Sequence, residues 1–313
     1  MTDDIGQGLI GQDGGNVSGL MTTRPQRQLA SDIAEIWADG SAAGRSLTFW
    51  PRALLQLTLP HHNPGSVPVW GRRSGDFYLV VEPGHFLDAR GQPATHGYPY
   101  GSLPRLIFTF LNRQAKLTRN PTIDFGDSLA AFMRELGLGP HHTGGINGST
   151  TRLRRQLLAT LNARIAYGRN PTGGEQRANA LIASEYELWW DPKSLGQMSL
   201  YPNWVRLDDR LFEEFVSHGV PLDMRVLKAL KRSPLALDLY AWAAYRDFSR
   251  KERLAVSWEA LGRQFGNDYA TTKEFARRAK AAFAKVQLLC PDLKLNYERG
   301  RIILGDRVIH PSI

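Results

Sequence analysis

Hydrophobic positions change their spacing along the chain, and this change separates a strand-rich stretch from stretches of helix. Residues 28–38 carry apolar side chains at helical spacing, which predicts a short amphipathic helix. Apolar runs at 47–59 and 76–81 are separated by turns dense in proline and glycine, and this pattern is typical of strands. We therefore expect a small β-rich lobe between residues 47 and 101.

From Leu103 onward the spacing is mostly helical. Residues 102–117 predict a helix with Ser102 as its N-cap and Pro104 near its first turn, positions that suit both residue types. The inward face of this helix is expected to carry Leu106, Phe110 and Leu117.

Two further helices and a strand-like segment complete this half of the chain. An extended piece around Ile123 leads into a helix that ends at Gly137. Residues 150–167 then predict a helix capped by Ser149 or Thr150, followed by strands. The expected buried positions of these helices are Leu129, Phe132, Met133, Leu136, Leu153, Leu157, Leu161 and Ile165.

The same order of elements returns after residue 200. A strand-like start leads into a short helix that Ser257 caps and Gly266 ends, and a longer helix and a hairpin follow. The segments are helices at 210–219, 223–230, 233–249 and 267–289 and a hairpin at 292–305.

The repeated order of helix, turn, helix and hairpin predicts the fold class. We expect an α+β fold that is mostly helical, with two tandem winged-helix domains and a small β-rich lobe in the N-terminal one. The predicted parts are a flexible tail with a short helix at 1–45, an N-terminal winged-helix-like domain at 46–200 and a C-terminal DNA-binding winged helix at 201–313.

Charge indicates the kind of partner. The 313 residues carry a net charge of +9. Residues 1–50 hold three arginines and six acidic residues, so the remaining residues carry +12. Such an excess favours a polyanion as partner, and nucleic acid is the commonest one, although a basic protein with solvated lysines has the same composition.

The long C-terminal helix has the pattern of a DNA-reading helix. Its cationic face is distinct from the apolar face formed by Phe275, Ala279, Ala282, Phe283 and Val286. The N-terminal residues of a helix in the major groove contact base edges, and a wing contacts phosphates. The alternative is an amphipathic surface helix with solvated lysines. The candidate DNA-binding residues are Thr271, Thr272, Lys273, Arg277, Arg278 and Lys280, with Arg299 and Arg301 at the hairpin tip.

The N-terminal half offers a similar cationic helix. Its candidate DNA-binding residues are Arg152, Arg154, Arg155 and Gln156. A helix of this kind in a tandem protein has an alternative role in dimerisation.

Catalytic and cofactor chemistry finds little support. The sequence lacks the G-x-x-x-x-G-K-[ST] motif, which argues against a P-loop ATPase. Cys290 lies in an apolar run and is expected in the core, and the adjacent pairs His61-His62 and His141-His142 do not suit one metal ion on a strand. We expect no enzyme activity, no cofactor and no metal.

The N-terminal sequence, the length of the apolar runs and the cysteine content indicate the compartment. The N-terminus lacks the basic start and apolar run of a secretory signal, and no apolar run is long enough to cross a membrane. A single cysteine fits a reducing compartment. We therefore expect a cytoplasmic protein without a membrane partner.

Four sequence runs resemble one known family. GYPYGSLPRLIF, FGDSLAAFMRELGL, a TGG turn and RLRRQLLATL are similar to the plasmid-encoded RepA replication initiator family, most strongly over residues 47–190. The YG-x-x-PR and SL-x-x-F-M-x-x-LGL runs are the more specific part of this likeness.

The resemblance implies an initiator of plasmid replication, in the theta mode, that binds directly repeated origin sites (iterons) in double-stranded DNA. It also implies recruitment of host replication proteins, including the replicative helicase, and an equilibrium between monomer and dimer. The C-terminal winged helix would give the main sequence readout, and the N-terminal one would dimerise or contact the DNA backbone. The alternatives are a winged-helix transcriptional repressor, which could be an autorepressor, a rolling-circle nickase with a tyrosine nucleophile, and a protein that coats RNA or DNA.

Overall fold

The structure is a computed structural model that describes most of the chain. The described residues are 24–38, 46–138, 148–170, 174, 176–190, 200–249, 253–266 and 269–305. Contacts divide the chain into two compact units, Met1–Ser41 and Ala42–Ile313. In the first unit, α1 (Arg24–Ala38) confirms the predicted amphipathic helix and begins four residues earlier than expected.

The β-rich lobe opens the second unit, but one segment expected as a strand is helical. The elements of the lobe are β1 (Leu47–Trp50), α2 (Ala53–Gln56), β2 (Trp70–Ser74), β3 (Phe77–Glu82), β4 (His85–Leu87) and β5 (Pro93–Thr95). The amides of Leu54 and Leu55 bond to the carbonyls of Pro51 and Arg52, which closes a turn at the start of α2. Both leucines are buried, and a helical turn allows this for adjacent residues whereas a strand places them on opposite faces.

A first winged helix follows the lobe. Its elements are α3 (Ser102–Thr118), β6 (Thr122–Asp124), α4 (Leu129–Glu135), α5 (Ser149–Leu161), β7 (Arg164–Arg169), β8 (Gln176–Leu181) and β9 (Ala183–Glu187). The α4 and α5 helices precede the β7–β8 hairpin, which is the wing. The wing joins the lobe in an antiparallel sheet of order β2-β3-β7-β8.

Four expectations for these helices are wrong. Leu117 is 59 % exposed, because Ala115 is the last buried residue of α3 and the final turn extends beyond it. Ile165 is buried in β7, where it pairs with Val81, and not in a helix. The N-cap of α5 is Gly148 without a side-chain bond, while the N-cap of α3 is Gly101 and not Ser102.

The second winged helix has the predicted order. The elements after residue 200 are β10 (Trp204–Leu207), α6 (Asp209–His218), β11 (Val220–Asp223), α7 (Met224–Leu230), α8 (Pro234–Ser249), β12 (Leu254–Ser257), α9 (Trp258–Phe265), α10 (Thr272–Leu289), β13 (Leu295–Glu298) and β14 (Arg301–Leu304). The α9 and α10 helices form the helix-turn-helix. The wing is the hairpin β13–β14, and β12 completes a sheet of order β12-β14-β13.

Two strand pairings join residues on either side of position 200. Strand β1 pairs antiparallel with β11, and β10 lies between β6 and β9 in a second sheet. Both winged helices therefore lie within the single unit Ala42–Ile313. The boundaries at 45 and 200 stay predictions.

The predicted fold class is confirmed: the fold is mixed α and β, with two tandem winged helices and a β-rich lobe beside the first. Within the described ranges, no helix combines the length and the apolar composition that crossing a membrane requires.

Candidate nucleic-acid interface

The short helix α9 sets the position of the long helix α10. Ser257 Oγ caps α9 by accepting the amide of Ala260 at 3.1 Å, as its sequence predicts. Gly266 then ends α9. A Cβ at Gly266 would lie 3.0 Å from the ring of Phe275 and 2.7 Å from the carbonyl oxygen of Gly262. The missing side chain at Gly266 thus lets the end of α9 pack closely against α10.

The long helix α10 buries one face and exposes the other, as its spacing predicts. Thr271 caps it, because its Oγ1 accepts the amide of Glu274 at 3.1 Å. All five predicted inward residues are buried. The exposed residues include every candidate on this helix: Thr271, Thr272, Lys273, Arg277, Arg278 and Lys280.

The three cations of the main α10 face have different surroundings. Neither Lys273 nor Arg277 forms an ion pair with any residue that the structure describes. The ammonium of Lys280, in contrast, lies 5.7 Å from the ring centre of Trp258 and 5.3 Å from that of Tyr297. Lys280 therefore links α10 to α9 and to the wing through cation–π contacts.

The two wing arginines also differ. Arg301 Nε donates to Glu298 Oε2 at 2.6 Å across the hairpin turn, so part of its charge is offset. Arg299 is exposed at the tip beside Gly300, whose φ of +78° suits the tight turn. Arg299 is thus the wing cation whose charge stays available to a ligand.

The N-terminal helix α5 carries its cations along the exposed side. Arg152 and Arg155 are exposed and Arg154 is half-buried. Arg155 Nη2 lies 3.4 Å from the hydroxyl of Tyr100. Burial, and then the charge of Arg154, lower the pKa of His96, which favours the neutral imidazole at neutral pH.

Gln156 does not belong to this exposed set, so its prediction as a DNA-binding residue is corrected. Its side chain is buried. Its Oε1 accepts the amide of Tyr100 at 2.9 Å, and its Nε2 donates to the carbonyl of Tyr98 at 3.3 Å. Gln156 therefore fastens α5 to the segment before α3 and cannot reach DNA from there.

The structure bears on two catalytic candidates, the single cysteine and a metal site. Burial raises the pKa of the Cys290 thiol to about 12, so the thiol is not an activated nucleophile at neutral pH. In the parts of the chain that the structure describes, no three His, Cys, Asp or Glu residues are grouped to hold a metal ion. The pair His141-His142 lies outside these parts.

A buried polar cluster lies between α3 and α8 and was not predicted from the sequence. His61 is only 4 % exposed, and its Nε2 lies 2.8 Å from Asp238 Oδ2. Arg105 Nε donates to Asp238 Oδ1 at 2.7 Å. The available signal was Arg105 itself, because a charged residue in the apolar run of the YG-x-x-PR motif needs a buried partner.

Comparisons with known proteins agree with this architecture. The family model described as "Plasmid encoded RepA protein" matches residues 98–259, a little more than half of the chain. No curated protein matches the sequence.

Two solved structures match this chain. A crystal structure of a selenomethionine derivative of domains 2 and 3 of RctB has a TM-score of 0.52 at 10 % identity and covers 83 % of this chain and 99 % of that chain. Another crystal structure of RctB domains 2–3 has a TM-score of 0.47 at 10 % identity, with 80 % and 94 % covered. At 10 % identity, the likeness to the first of these structures indicates a shared fold and nothing about function.

Proposed function

The chain belongs to the plasmid-encoded RepA protein family, and on that basis we propose that it initiates plasmid replication by binding repeated origin sites in duplex DNA. The observation that carries the proposal is the exposed pair Lys273 and Arg277 on α10. Both cations are free of ion pairs with the described residues, and the opposite face of the helix is packed. No catalytic step is assigned to the chain.

The proposed docking places the first turn of α10 in the major groove. Thr272 and Lys273 are then nearest the base edges, and Arg277 lies one turn further along. Arg299 at the wing tip contacts a phosphate. Lys280 keeps its place between Trp258 and Tyr297, so its main role is to position the wing against α10.

The N-terminal helix α5 is proposed to contact the DNA backbone. Arg152 and Arg155 are exposed on it, and each phosphate that is neutralised adds about 0.9 to the slope of log K against log salt. Replacing Arg152 with alanine should therefore reduce this slope by about one, with similar effects on all DNA sequences.

A pair of matched lysine variants tests the α10 interface. Lys273 and Lys285 are both exposed on α10, and their separation of 12 positions corresponds to about 18 Å along the helix. Lys273→Ala should weaken binding to DNA from the region flanking the gene about tenfold or more, while Lys285→Ala should change it little. Equal losses in both variants would mean that only bulk charge matters.

Arg277→Ala separates base readout from backbone contact. A good base contact contributes about 1–3 kcal/mol of discrimination. The variant should therefore lose more affinity for origin DNA than for random DNA, measured at one salt concentration. The same loss on both DNAs assigns Arg277 to the backbone.

Footprinting tests the origin itself. Regularly spaced protected repeats, about two helical turns apart, are expected on the DNA that flanks the gene. An origin-dependent plasmid replication assay then distinguishes an initiator from a repressor that has the same DNA-binding chemistry. Recruitment of the host helicase and an equilibrium between monomer and dimer are part of the proposal, and co-purification and sedimentation measurements test them.

A further inference from the structure

A cleft of about 400 Å³ lies between the four-stranded sheet and helix α6. This volume is within the range of about 300–1,000 Å³ that is usual for small-ligand sites. None of the residues that line it belongs to α5, α9 or α10. The cleft is therefore separate from the helices proposed to contact duplex DNA.

The strand register explains which side chains line the sheet wall. Phe77, Arg169 and Gln176 are cross-strand neighbours in one row. Leu79 and Tyr167 pair two residues further along β3 and β7, and residues two apart on a strand share a face. One wall thus presents an aromatic and apolar surface with a guanidinium at its end.

Positive charge exceeds negative charge in this cleft. The Arg169 Cζ lies 4.2 Å from the ring centre of Phe77, and the Arg52 Cζ lies 5.9 Å from that of Tyr245. Neither arginine forms an ion pair with a described residue. The contact with Phe77 holds the Arg169 guanidinium in place and leaves its N–H donors for an anion. Arg52 supplies a second guanidinium to the cleft.

The remaining walls suit a flat ring better than a bare anion. Tyr167 and the buried Leu57 and Leu79 offer apolar surface. Glu214, on the α6 wall, is paired with His218 at 3.1 Å, and its carboxylate can accept hydrogen bonds only. A fitting ligand therefore combines an anionic end, a planar ring and N–H donors on that ring.

We propose that this cleft binds one nucleotide unit, with its phosphate on Arg52 and Arg169 and its base between Tyr167 and Glu214. Arginine with aromatic surface is the combination with which proteins bind unpaired nucleotides. The unit can be a free mononucleotide or an unpaired residue of a single strand. The proposal does not rest on the duplex-binding proposal above.

Calorimetric titration of the full chain tests the cleft with four probes: deoxyadenosine monophosphate, deoxyadenosine, inorganic phosphate and an eight-residue oligodeoxyadenylate. The monophosphate should bind at least tenfold more tightly than the nucleoside or phosphate alone. Arg169→Ala should weaken its binding about tenfold or more. Arg164→Ala, on the same strand but outside the cleft, is the matched control and should bind like the unaltered chain.

A second variant, together with a measurement of folding, keeps the test valid if the first variant does not fold. Ala178→Trp adds a large side chain to the cleft wall and should abolish binding, while unfolding in urea reports whether the chain stays folded. Tighter binding of the oligonucleotide than of the monophosphate identifies a single strand as the source, and equal or weaker binding identifies the free nucleotide. The proposal is overturned if the monophosphate does not bind at millimolar concentration, or if a folded Arg169→Ala or Ala178→Trp variant binds it as tightly as the control.

Discussion

At the scale of single residues, Gln156 is expected to matter for stability and not for DNA contact. Replacement by leucine removes the partners of the Tyr100 amide and the Tyr98 carbonyl, and an unsatisfied buried polar group costs about 1–3 kcal/mol. Urea denaturation of Gln156→Leu should show a loss of this order. Arg152→Leu, an exposed change on the same helix, should leave the free energy of unfolding nearly unchanged, and an equal loss there would contradict the assignment.

The contrast between Gln156 and Lys273 shows how far sequence reasoning reaches at this scale. Lys273 was predicted to be exposed because helical spacing separates it from the apolar face of α10, and it is exposed. Gln156 also lies among polar residues of a helix, but its partners are backbone groups 56 and 58 positions away. Periodicity reports the face of a helix, and it carries no information on a partner so distant in the sequence.

Lys280 allows a test of how much its contacts with two aromatic rings stabilise the fold. Its ammonium lies over Trp258 and Tyr297, and an exposed cation–π contact contributes about 0.5–1 kcal/mol. Lys280→Met keeps the aliphatic stem and should lower the free energy of unfolding by about this amount, while Lys280→Arg should retain most of it. Thermal unfolding of the two variants measures the difference, and identical stabilities would show that the ring contacts contribute nothing.

At the scale of elements, the start of α10 depends on its cap. Thr271 Oγ1 accepts the Glu274 amide, and replacing such a cap with alanine costs about 1 kcal/mol. Thr271→Ala should therefore destabilise the chain by about this amount in urea denaturation. Thr271→Ser keeps the acceptor and should be close to neutral, so a large effect of the serine variant would point to packing of the threonine methyl group.

The elements that the sequence predicted best are those with local signals. The segment from β12 to β14 was predicted in order, because Ser257 and Gly266 mark the ends of α9 and amphipathic spacing marks α10. The helix α2 was missed because a short apolar run fits either a strand or a helical turn. The pairing of β1 with β11 joins residues far apart in the sequence, and no local signal specifies it.

At the scale of the whole molecule, one buried cluster connects the two winged helices. Arg105 on α3 and Asp238 on α8 form an ion pair whose side chains are each 1 % exposed. Thr58 donates to Asp238 Oδ2 at 2.7 Å, and His61 lies beside the same oxygen. Breaking a buried pair by removing one partner typically costs about 3–5 kcal/mol, so this cluster has a large effect on how firmly the halves are joined.

The cluster also predicts how stability depends on pH. The Arg105 charge and the bonds from His61 and Arg105 outweigh the effect of burial and lower the pKa of Asp238 to about 2. This carboxylate therefore stabilises the fold fully above about pH 4, and the contribution, about 2 kcal/mol, is lost as the pH falls towards 2.

Burial, the largest influence, lowers the pKa of His61 despite the bond to Asp238. The folded state thus disfavours protonated His61, and stability should begin to fall once the pH drops below about 6.5.

A His61→Gln variant isolates the loss of stability that protonation of His61 is expected to cause in mild acid. Glutamine can still donate a hydrogen bond to Asp238 but cannot take up a proton. The free energy of unfolding, measured in urea between pH 8 and pH 5, should therefore fall less steeply for the variant than for the unaltered chain, even if the variant is less stable throughout. The other histidines are present in both chains and cancel in the comparison. Parallel slopes over this range would show that His61 does not resist protonation in the folded state, and that the junction of the two winged helices is insensitive to mild acid.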